Sequence, residues 1–510
     1  MSESLDTLVK ILPEDKFVVT TEEFKGKNVS LLKRKGVYPY EYTNSWKRLE
    51  ETTLPPKAEF YSRLTQQEVS QEDYDHACNI WRAFGTRTLR EFSNMYLKSD
   101  VTLLLDVFEN FRDMCIEQFN LDPCQYYTTP GISFDAALKL TGVELELITD
   151  YEMHLLLESG IRGGSVQLVT RHAISNDEKL PDYDPNVPKK RIFYFDAVNL
   201  YGAMMCKKLP INGFKFEDPS KFDENCIMAI DPEGDKGYIF EVTLDYPENL
   251  HDEHNEHPFC PEMKCAPGKK QKKLLATLES KKHYVIHFNA LQQALSHGLV
   301  LKHMHRVVSF NQSNWLRDYV EKNTKLRSES KSKFEISFWK WTINSVYGKM
   351  LERIRDRKFF TIVYTEKNLK KRLNKHNFLD FIIYSVDCVG VLCKKTKNVM
   401  DRPLYVGLAI LDHAKVHMNA FFYDVIKKKF GKRATMLYED TDSELLVIQS
   451  DDINSELKSI EQHFDFSNLP TDHPLFSNEN RKVLGRFKDE MAGVPVLEFI
   501  GLRPKCYALR

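Results

Sequence analysis

Three aspartates and one lysine in this sequence have types and spacing suited to phosphoryl transfer. Asp196 follows a short aromatic run, a distant acidic turn carries Asp440 and Asp442, and Lys340 lies between them in the sequence. Mg²⁺ prefers carboxylate oxygens, and two such ions about 4 Å apart stabilise both the attacking and the leaving oxygen. We therefore predict that Asp196 and Asp442 hold two Mg²⁺ ions, with Mn²⁺ as an alternative. Lys340 would offset charge on a leaving pyrophosphate.

Two strands and a tight turn must position the aspartates. Arg191–Phe195 is aromatic and β-branched, which predicts a buried strand ending at Asp196. Ala434–Tyr438 and Leu445–Ile448 flank the acidic turn, so we predict a strand, a turn and a strand. Taken singly, an aspartate at a strand end is usually a cap, and an acidic hairpin tip is usually turn chemistry. Only the combination indicates a metal site.

A long helix must position the lysine. The chain from Asn314 to Met350 has helical periodicity, and Lys340, Asn344 and Tyr347 fall at i, i+4 and i+7 on one polar stripe. Gly348 suits the end of this helix. A second helical stripe is predicted from Leu97, with its apolar residues at the positions Val101, Leu104, Leu105, Phe108, Phe111, Cys115 and Phe119.

Three segments, in this order, resemble the polymerase motifs of family B DNA polymerases. Phe195–Tyr201 resembles the first motif, an aspartate followed by a Leu-Tyr pair. Lys340–Gly348 is similar to the second motif, Lys-x-x-x-Asn-Ser-x-Tyr-Gly, and Tyr438–Ser443 to the third, Tyr-x-Asp-Thr-Asp-Ser. Three matches in this order would rarely arise by chance.

Shorter segments resemble the protein-primed branch of that family, which is found in viruses, linear plasmids and Polinton or Maverick transposons. They are Arg34–Tyr42, Tyr96–Val101 and Gly160–Gly164. The resemblance implies a DNA-directed DNA polymerase whose partners are primer-template DNA, deoxynucleoside triphosphates and, for this branch, a terminal-protein primer.

The resemblance also implies roles for individual residues. Asp196 and Asp442 are similar to the metal-binding aspartates, with Asp440 as a supporting carboxylate. The implied nucleotide-binding residues are Lys340 for the triphosphate, Tyr201 under the sugar, where it would exclude a ribose 2′-hydroxyl, and Asn344, Tyr347 and Gly348 at the nascent base pair. Lys505 and Tyr507 resemble the Lys-x-Tyr element that steadies the primer end.

The implied fold is α/β of the α+β kind, a palm with an antiparallel sheet, helical fingers and two insertions. We predict a partial exonuclease-like region over 1–150, a linker over 151–190 and a polymerase region over 191–510. Within the last, the palm comprises 191–201 and 402–510, and the fingers comprise 324–350. The insertion 202–323 is similar to the one that meets the terminal protein, and 351–401 to the one that encircles template and aids strand displacement.

The sequence departs from the family pattern at three places. Tyr96 and Asp100 resemble only the third exonuclease motif, so we expect no proofreading. Ile161 replaces the tyrosine of a Tyr-x-Gly-Gly linker, and the chain stops three residues after Tyr507, so most of a thumb would be missing. The alternative is therefore a DNA-binding remnant that has lost catalysis. A reverse transcriptase is disfavoured, because its acidic hairpin usually has adjacent aspartates.

Composition restricts the function classes further. The 510 residues have a formal net charge of −1, and this charge excludes a uniformly basic nucleic-acid binder. The lysines nevertheless occur in local blocks such as Lys269–Lys273. The ten cysteines lack disulfide-scaffold spacing. No apolar run could span a bilayer, and Met1–Asp6 lacks a signal-peptide pattern, so we expect an intracellular protein with no membrane partner. His251, His254, His257, Cys260 and Cys265 have zinc-ligand types without finger spacing, and we favour a polar loop.

Overall fold

The computed structural model of the chain describes residues 4–510. Met1–Glu3, part of the segment from which we predicted that a signal peptide is absent, lie outside the described residues. No helix in this described part of the chain is both long and apolar enough to cross a membrane.

Helices occur along the described chain from Leu5 to Lys458. They are α1 Leu5–Ile11, α2 Val18–Glu23, α3 Gln71–Ala83, α4 Leu89–Phe119, α5 Thr129–Thr141, α6 Tyr151–Gly160, α7 Leu200–Met205, α8 Glu224–Met228, α9 His251–His254, α10 Phe288–Ser296, α11 Arg317–Glu329, α12 Lys333–Met350, α13 Glu366–Leu373, α14 Leu404–Asn419, α15 Lys428–Phe430 and α16 Ile453–Lys458. A π-helical segment, Ala420–Lys427, joins α14 to α15.

The first strand of the described residues begins at Val166. The strands are β1 Val166–Leu168, β2 His172–Ile174, β3 Lys190–Ala197, β4 Leu209–Glu217, β5 Lys236–Asp245, β6 Glu262–Cys265, β7 Lys272–Leu275, β8 Lys281–His287, β9 Val300–Ser313, β10 Lys358–Val363, β11 Phe378–Ser385, β12 Cys388–Lys394, β13 Ala434–Asp440, β14 Ser443–Gln449, β15 Phe487–Asp489, β16 Glu498–Arg503 and β17 Cys506–Leu509.

The chain forms two compact units. The first comprises Met1–Leu140 with Glu321–Ser345, and the second comprises Thr141–Val320 with Val346–Arg510. The strands named above all lie in the second unit. Helices and antiparallel sheets together confirm the predicted α+β class. The predicted functional boundaries stay predictions, because this division follows packing alone.

The central sheet of the second unit has the strand order β1-β13-β14-β3-β15, and each neighbouring pair is antiparallel. Its buried side chains include Ile192, Leu437 and Leu445, which pack with Val496 and Phe499. β14 and β15 pair both backbone edges of β3, and the Phe195 ring is buried against Phe421 and Phe464. The predicted strand ending at Asp196 and the predicted acidic hairpin are both present.

Two smaller sheets occupy the segments predicted as insertions. Within 202–323, the order is β4-β9-β5-β8, and β6 and β7 form a separate two-stranded ribbon. Within 351–401, the order is β10-β12-β11, around a core that includes Val391 and Cys393. A further sheet, β17-β16-β2, contains the C-terminal Lys505–Tyr507 segment at its β16–β17 turn.

The N-terminal unit corrects one prediction about α4. The helix exists, but it begins at Leu89, and Val101, Leu104 and Leu105 of the predicted buried stripe are exposed. Asp106 is buried instead, because its carboxylate accepts hydrogen bonds from the amides of Val19 and Thr20 at the start of α2, at 2.6 and 3.1 Å. Capping another helix favours burial of a polar residue that a hydrophobicity pattern assigns to solvent.

The predicted helix from Asn314 to Met350 is broken into α11 and α12. Ser332 begins α12, and its hydroxyl accepts a hydrogen bond from the amide of Glu335 at 3.1 Å. Ser330 closes the break on the other side by accepting a hydrogen bond from the Trp339 indole at 3.1 Å. Serine favours helix starts because its hydroxyl satisfies an otherwise unpaired amide. Residues Ser330–Ser332 therefore separate α11 from α12, a break that the periodicity of apolar residues did not predict.

Candidate active site

The tip of the β13–β14 hairpin is a strained turn. Thr441 has a φ of 65°, a conformation that β-branched residues rarely adopt. Two short backbone hydrogen bonds hold it there, from the Thr441 amide to the Ser165 carbonyl and from the Asp442 amide to the Asp440 carbonyl, both 2.7 Å. Such strain is maintained only where the surroundings fix the backbone, and it concentrates at functional sites.

Asp196 and Asp442 lie on neighbouring backbones. In the β3–β14 register Asp196 is opposite Ser443, and the amide of Ala197 donates to the Asp442 carbonyl at 2.7 Å. The sheet therefore brings together two residues that are far apart in the sequence. Asp442 itself lies in the turn before β14, one residue from the position opposite Asp196.

The surroundings of Asp442 disfavour its charge in the absence of a cation. Burial raises the pKa of the Asp442 carboxyl above its usual value, and the negative charges of Asp440 and Glu490 add to this rise. A backbone hydrogen bond and the charge of Lys505 lower the pKa in part. A carboxyl with a raised pKa beside other acids is stabilised as a carboxylate by a bound cation.

Asp440 has a cationic neighbour within the chain. The Lys505 ammonium donates to both Asp440 carboxylate oxygens at 2.6 Å, and the Tyr438 hydroxyl donates to the same carboxylate at 3.1 Å. The hydroxyl of Tyr438 in turn accepts a hydrogen bond from the Lys505 amide at 3.1 Å. The arrangement partly neutralises the charge of Asp440.

Tyr507 belongs to the same group of side chains. Its hydroxyl is 3.2 Å from that of Tyr194 on β3, and its ring centroid is 4.7 Å from that of Tyr438 on β13. Burial raises the pKa of the Tyr507 phenol, so it remains a hydrogen-bond donor at neutral pH. The predicted primer-binding pair, Lys505 and Tyr507, thus lies against the acidic hairpin.

Tyr201 is placed by a sharp turn after β3. Asn199, the N-cap of the short helix α7, has a φ of 45°, and its side chain accepts a hydrogen bond from the amide of Gly202 in that helix. The Tyr201 ring then stacks on Tyr347, with centroids 4.2 Å apart and planes at 12°. Burial raises the pKa of both phenols. The two predicted nucleotide-binding tyrosines therefore form one aromatic platform.

The segment Gly160–Gly164 contacts the turn from the other side. A Cβ at Gly164 would come within 2.4–2.9 Å of the Thr441 side chain, whereas one at Gly163 would meet nothing within 4 Å. The space around the two adjacent glycines therefore differs. Only Gly164 is required for close approach to the hairpin tip.

The other predicted nucleotide-binding residues lie on α12. Lys340, Asn344 and Gly348 are exposed, whereas Phe338, Thr342 and Val346 are buried. Of the predicted polar stripe, Lys340 and Asn344 are thus exposed, whereas Tyr347 is half-buried against Tyr201. The roles of Lys340 and Asn344 in binding nucleotide stay predictions.

The predicted exonuclease residues lie in the first unit. The Asp100 carboxylate accepts a hydrogen bond from the Lys35 ammonium at 2.5 Å, and the same ammonium donates to the Tyr96 hydroxyl at 2.9 Å. The hydroxyls of Tyr40 and Tyr96 are 2.9 Å apart. Asp100 thus has a lysine as its cationic partner.

Sequence reasoning missed two charged residues beside Asp196. Lys488 on the edge strand β15 is directly opposite Asp196, and its ammonium lies 2.5 Å from the Glu490 carboxylate. Arg486–Glu490 has a single apolar residue, Phe487, so no alternation of polar and apolar residues indicates a strand there. The pairing of β15 with β3 could not be read from the sequence.

The histidine and cysteine cluster is not a polar loop. His254, His257 and Cys260 are buried, and the Tyr246 hydroxyl is hydrogen-bonded to His254 Nδ1 at 2.9 Å. Burial lowers the pKa of His254 to about 4, so it packs as a neutral aromatic ring. This part of the prediction is wrong, because neighbouring aromatic rings make the segment part of the core.

Within residues 4–510, no group of three or more histidine, cysteine, aspartate and glutamate side chains has the arrangement of a metal site. Asp196 and Asp442 nevertheless fit a divalent cation by donor type, by the contact between the hairpin turn and the end of β3, and by the raised pKa of Asp442. Carboxylate oxygens are the ligands that Mg²⁺ prefers.

The profile of a family described as DNA polymerase type B, organellar and viral, matches residues 26–419. The match covers well over half of the chain and includes the first two polymerase motifs. The chain belongs to this family. The predicted resemblance to viral type B polymerases is thereby confirmed.

Two solved structures are similar to this type B chain in fold. A phi29 DNA polymerase in an orthorhombic crystal form is 15% identical, and one complexed with primer-template DNA and incoming nucleotides is 16% identical, both with a TM-score of 0.51. Each alignment covers 93% of this chain and 66% of the phi29 chain. At such identity the likeness shows the fold alone. Among curated proteins, none matches the chain.

Proposed function

We propose that this chain is a DNA-directed DNA polymerase that adds deoxynucleotides to a primer 3′ end. The observation that carries the proposal is the placement of Asp442, in the hairpin turn, next to the end of the strand that carries Asp196, in a member of the type B family. Two carboxylates held together at a strained turn are poorly explained by stability, since their mutual repulsion destabilises the fold. They are well explained by a bound cation.

Asp196 and Asp442 would hold the metal ions in this proposal. Two Mg²⁺ ions supply charge stabilisation to the attacking and leaving oxygens of the transfer when they are bound. Asp440 acts as a supporting carboxylate: its pairing with Lys505 limits the negative charge beside Asp442. Lys505 and Tyr507 lie at this site, where they would steady the primer end.

Tyr201 and Tyr347 would form the floor under the incoming nucleotide. Their stacked rings present a rigid aromatic surface, on which a deoxyribose packs and a ribose 2′-hydroxyl collides. Gly348 would let the backbone approach the nascent base pair. Lys340 and Asn344, exposed on α12, would contact the triphosphate and the base pair.

We further propose the substrates and partners that the branch-level segments imply. These are primer-template DNA, deoxynucleoside triphosphates and a terminal-protein primer, in the replication of a virus or transposon. The phi29 structure with primer-template DNA and incoming nucleotides supports the choice of partners by similarity of fold. The predicted regions 1–150, 151–190 and 191–510 remain part of this proposal.

Primer extension by the purified 510-residue chain tests the proposal. With Mg²⁺, a labelled primer-template and the four deoxynucleotides, we expect extension that stops when the metal is chelated. The variant Asp442→Asn is the control for a contaminating polymerase. No metal-dependent extension by a folded wild-type chain would favour the DNA-binding remnant instead.

A further inference from the structure

The outer edge of β13 has only partial cover from another strand. β1 pairs with it at Tyr438, Glu439 and Asp440, and the residues after β1 reach the carbonyls of Leu437 and Met436, but no strand among the described residues pairs with Ala434–Met436 on this side. Backbone groups left unpaired at such an edge destabilise a strand unless side chains or loops satisfy them. Because β13 leads directly into the Asp440–Asp442 turn, its edge matters for the candidate active site.

Two side chains take the place of the missing strand. The Lys427 ammonium donates to the Ala434 carbonyl at 2.8 Å, and the Met436 amide donates to the Glu256 carboxylate at 2.9 Å. Lys427 and Glu256 also pair with each other at 3.0 Å, and both are about four-fifths buried. One ion pair therefore satisfies both a carbonyl and an amide of the strand.

Glu256 comes from the segment 202–323, outside the elements of the central sheet. The backbone there is itself fixed, because the Glu256 carbonyl accepts from the Gln167 amide group at 3.2 Å and the His257 carbonyl accepts from the Tyr423 hydroxyl at 2.7 Å. Gln167 also donates to the buried carboxylate of Glu439 at 2.7 Å. The contacts join this segment, β1 and β13 in one hydrogen-bonded group.

We propose that Glu256, with Lys427 as its partner, is a positioning residue for the catalytic hairpin. It fixes the strand that carries Asp440 and leads to Asp442, and thereby the separation of Asp442 from Asp196. The inference rests on the proposed polymerase function, which it deepens by linking the predicted terminal-protein insertion to the metal-binding turn. A small displacement of reacting groups reduces rate much more than binding.

Steady-state insertion of one deoxynucleotide tests the proposal with a matched control. Glu256→Ala removes both contacts, Glu256→Gln keeps an oxygen that can accept from the Met436 amide, and Glu456→Ala breaks the Arg433 ion pair at the other end of the same hairpin. We expect kcat of Glu256→Ala to fall at least about fivefold more than that of Glu456→Ala, with KM for the nucleotide within about twofold of wild type. Glu256→Gln should recover most of the loss.

A smaller difference between Glu256→Ala and Glu456→Ala, or no recovery in Glu256→Gln, would overturn the positioning role. A double variant with Lys427→Met should be no slower than the slower single variant, since residues that act as one unit are not additive. Additive losses would likewise contradict the shared role.

Amide hydrogen exchange separates this inference from the proposed function, because it needs no activity. In Glu256→Ala we expect residues 434–442 to exchange at least about tenfold faster than in wild type, which corresponds to about 1.4 kcal/mol of lost local stability. Glu456→Ala should leave the exchange at 436–442 unchanged. If wild type does not extend primers, the proposed function fails, and hydrogen exchange alone tests the positioning role of Glu256. Unchanged protection of residues 434–442 in Glu256→Ala would then refute that role.

Discussion

The chain contains two places where the family resemblance predicts metal-binding carboxylates, and they differ in what surrounds the acids. At the acidic hairpin, Asp442 lies in the turn next to the end of β3, which carries Asp196, and burial raises the pKa of Asp442. At the exonuclease-like position, Asp100 is paired with the ammonium of Lys35 at 2.5 Å. At the first place burial and the neighbouring acids disfavour the charge of Asp442, whereas at the second the Lys35 ammonium offsets the charge of Asp100.

The difference teaches how a carboxylate motif can be separated from a working metal site. A motif such as Tyr96 with Asp100 requires only local helical spacing, which a single helix supplies. A two-metal site requires carboxylates from different strands, together with a reason for the backbone to hold them. At the hairpin, the backbone is held by the positive φ of Thr441 and by the 2.7 Å hydrogen bond from its amide to the Ser165 carbonyl.

The largest expected effect comes from removing one carboxylate charge at the hairpin. Asp196→Asn and Asp442→Asn should each lower the rate of nucleotide insertion by about a thousandfold or more, because each removes a ligand to ions that stabilise the transition state by several kcal/mol. Rapid-quench insertion assays measure this. Asp442→Asn should melt no lower than wild type, since it removes a carboxylate whose charge is disfavoured by burial. An insertion rate of either variant within tenfold of wild type would contradict the assignment of the hairpin as the metal-binding place.

The next effect tests the fixed backbone. Gly164→Ala should lower the insertion rate at least about tenfold, because its Cβ would meet the Thr441 side chain at 2.4–2.9 Å and overpacking typically costs about 1–3 kcal/mol. Gly163→Ala is the matched control, since a Cβ there has open space. Equal rates for the two variants would show that the turn does not depend on this contact.

A smaller effect concerns the choice of sugar. Tyr201→Ala should raise ribonucleotide incorporation by at least about tenfold relative to deoxyribonucleotide, since the steric barrier to a 2′-hydroxyl is removed. Competitive insertion assays with both nucleotides give the ratio. Tyr201→Phe keeps the ring and should retain discrimination. General loss of activity without a change in the ratio would mean that Tyr201 only fills the core against Tyr347.

The smallest effect is expected at the other carboxylate. Asp100→Asn should change primer extension by less than about twofold, because Asp100 is neutralised by Lys35 and would take no part in the transfer. Wild type should show no Mg²⁺-dependent 3′ to 5′ digestion of a labelled primer. Digestion that disappears in Asp100→Asn would mean that this position does bind metal, and the contrast between the two places would be lost.

The sequence predicted those parts of the molecule whose signals are local. The strand before Asp196, the acidic hairpin and the exposed stripe of α12 follow from short patterns of residue type. The buried stripe of α4 did not follow, because Asp106 is buried to cap α2, which is more than eighty positions away in sequence. Hydrophobic periodicity contains no information about such a partner.

The candidate site shows the same limit. Motif spacing selected Asp196 and Asp442, but it gave no indication that Lys505 pairs with Asp440 or that Lys488 is opposite Asp196. Those neighbours depend on the register of strands joined by long connections, which sequence spacing does not fix. Likewise, the burial of His254 and His257 depends on aromatic partners such as Tyr423 from a distant helix.

The most direct test of the central claim is to locate the metal ions themselves. Crystals of the chain with primer-template DNA, a non-hydrolysable deoxynucleotide and Mn²⁺ would give anomalous difference density at each bound ion. We predict ions ligated by the carboxylates of both Asp196 and Asp442, and none at Asp100. Ions bound elsewhere, or Asp196 and Asp442 without an ion between them in the presence of both substrates, would contradict the account.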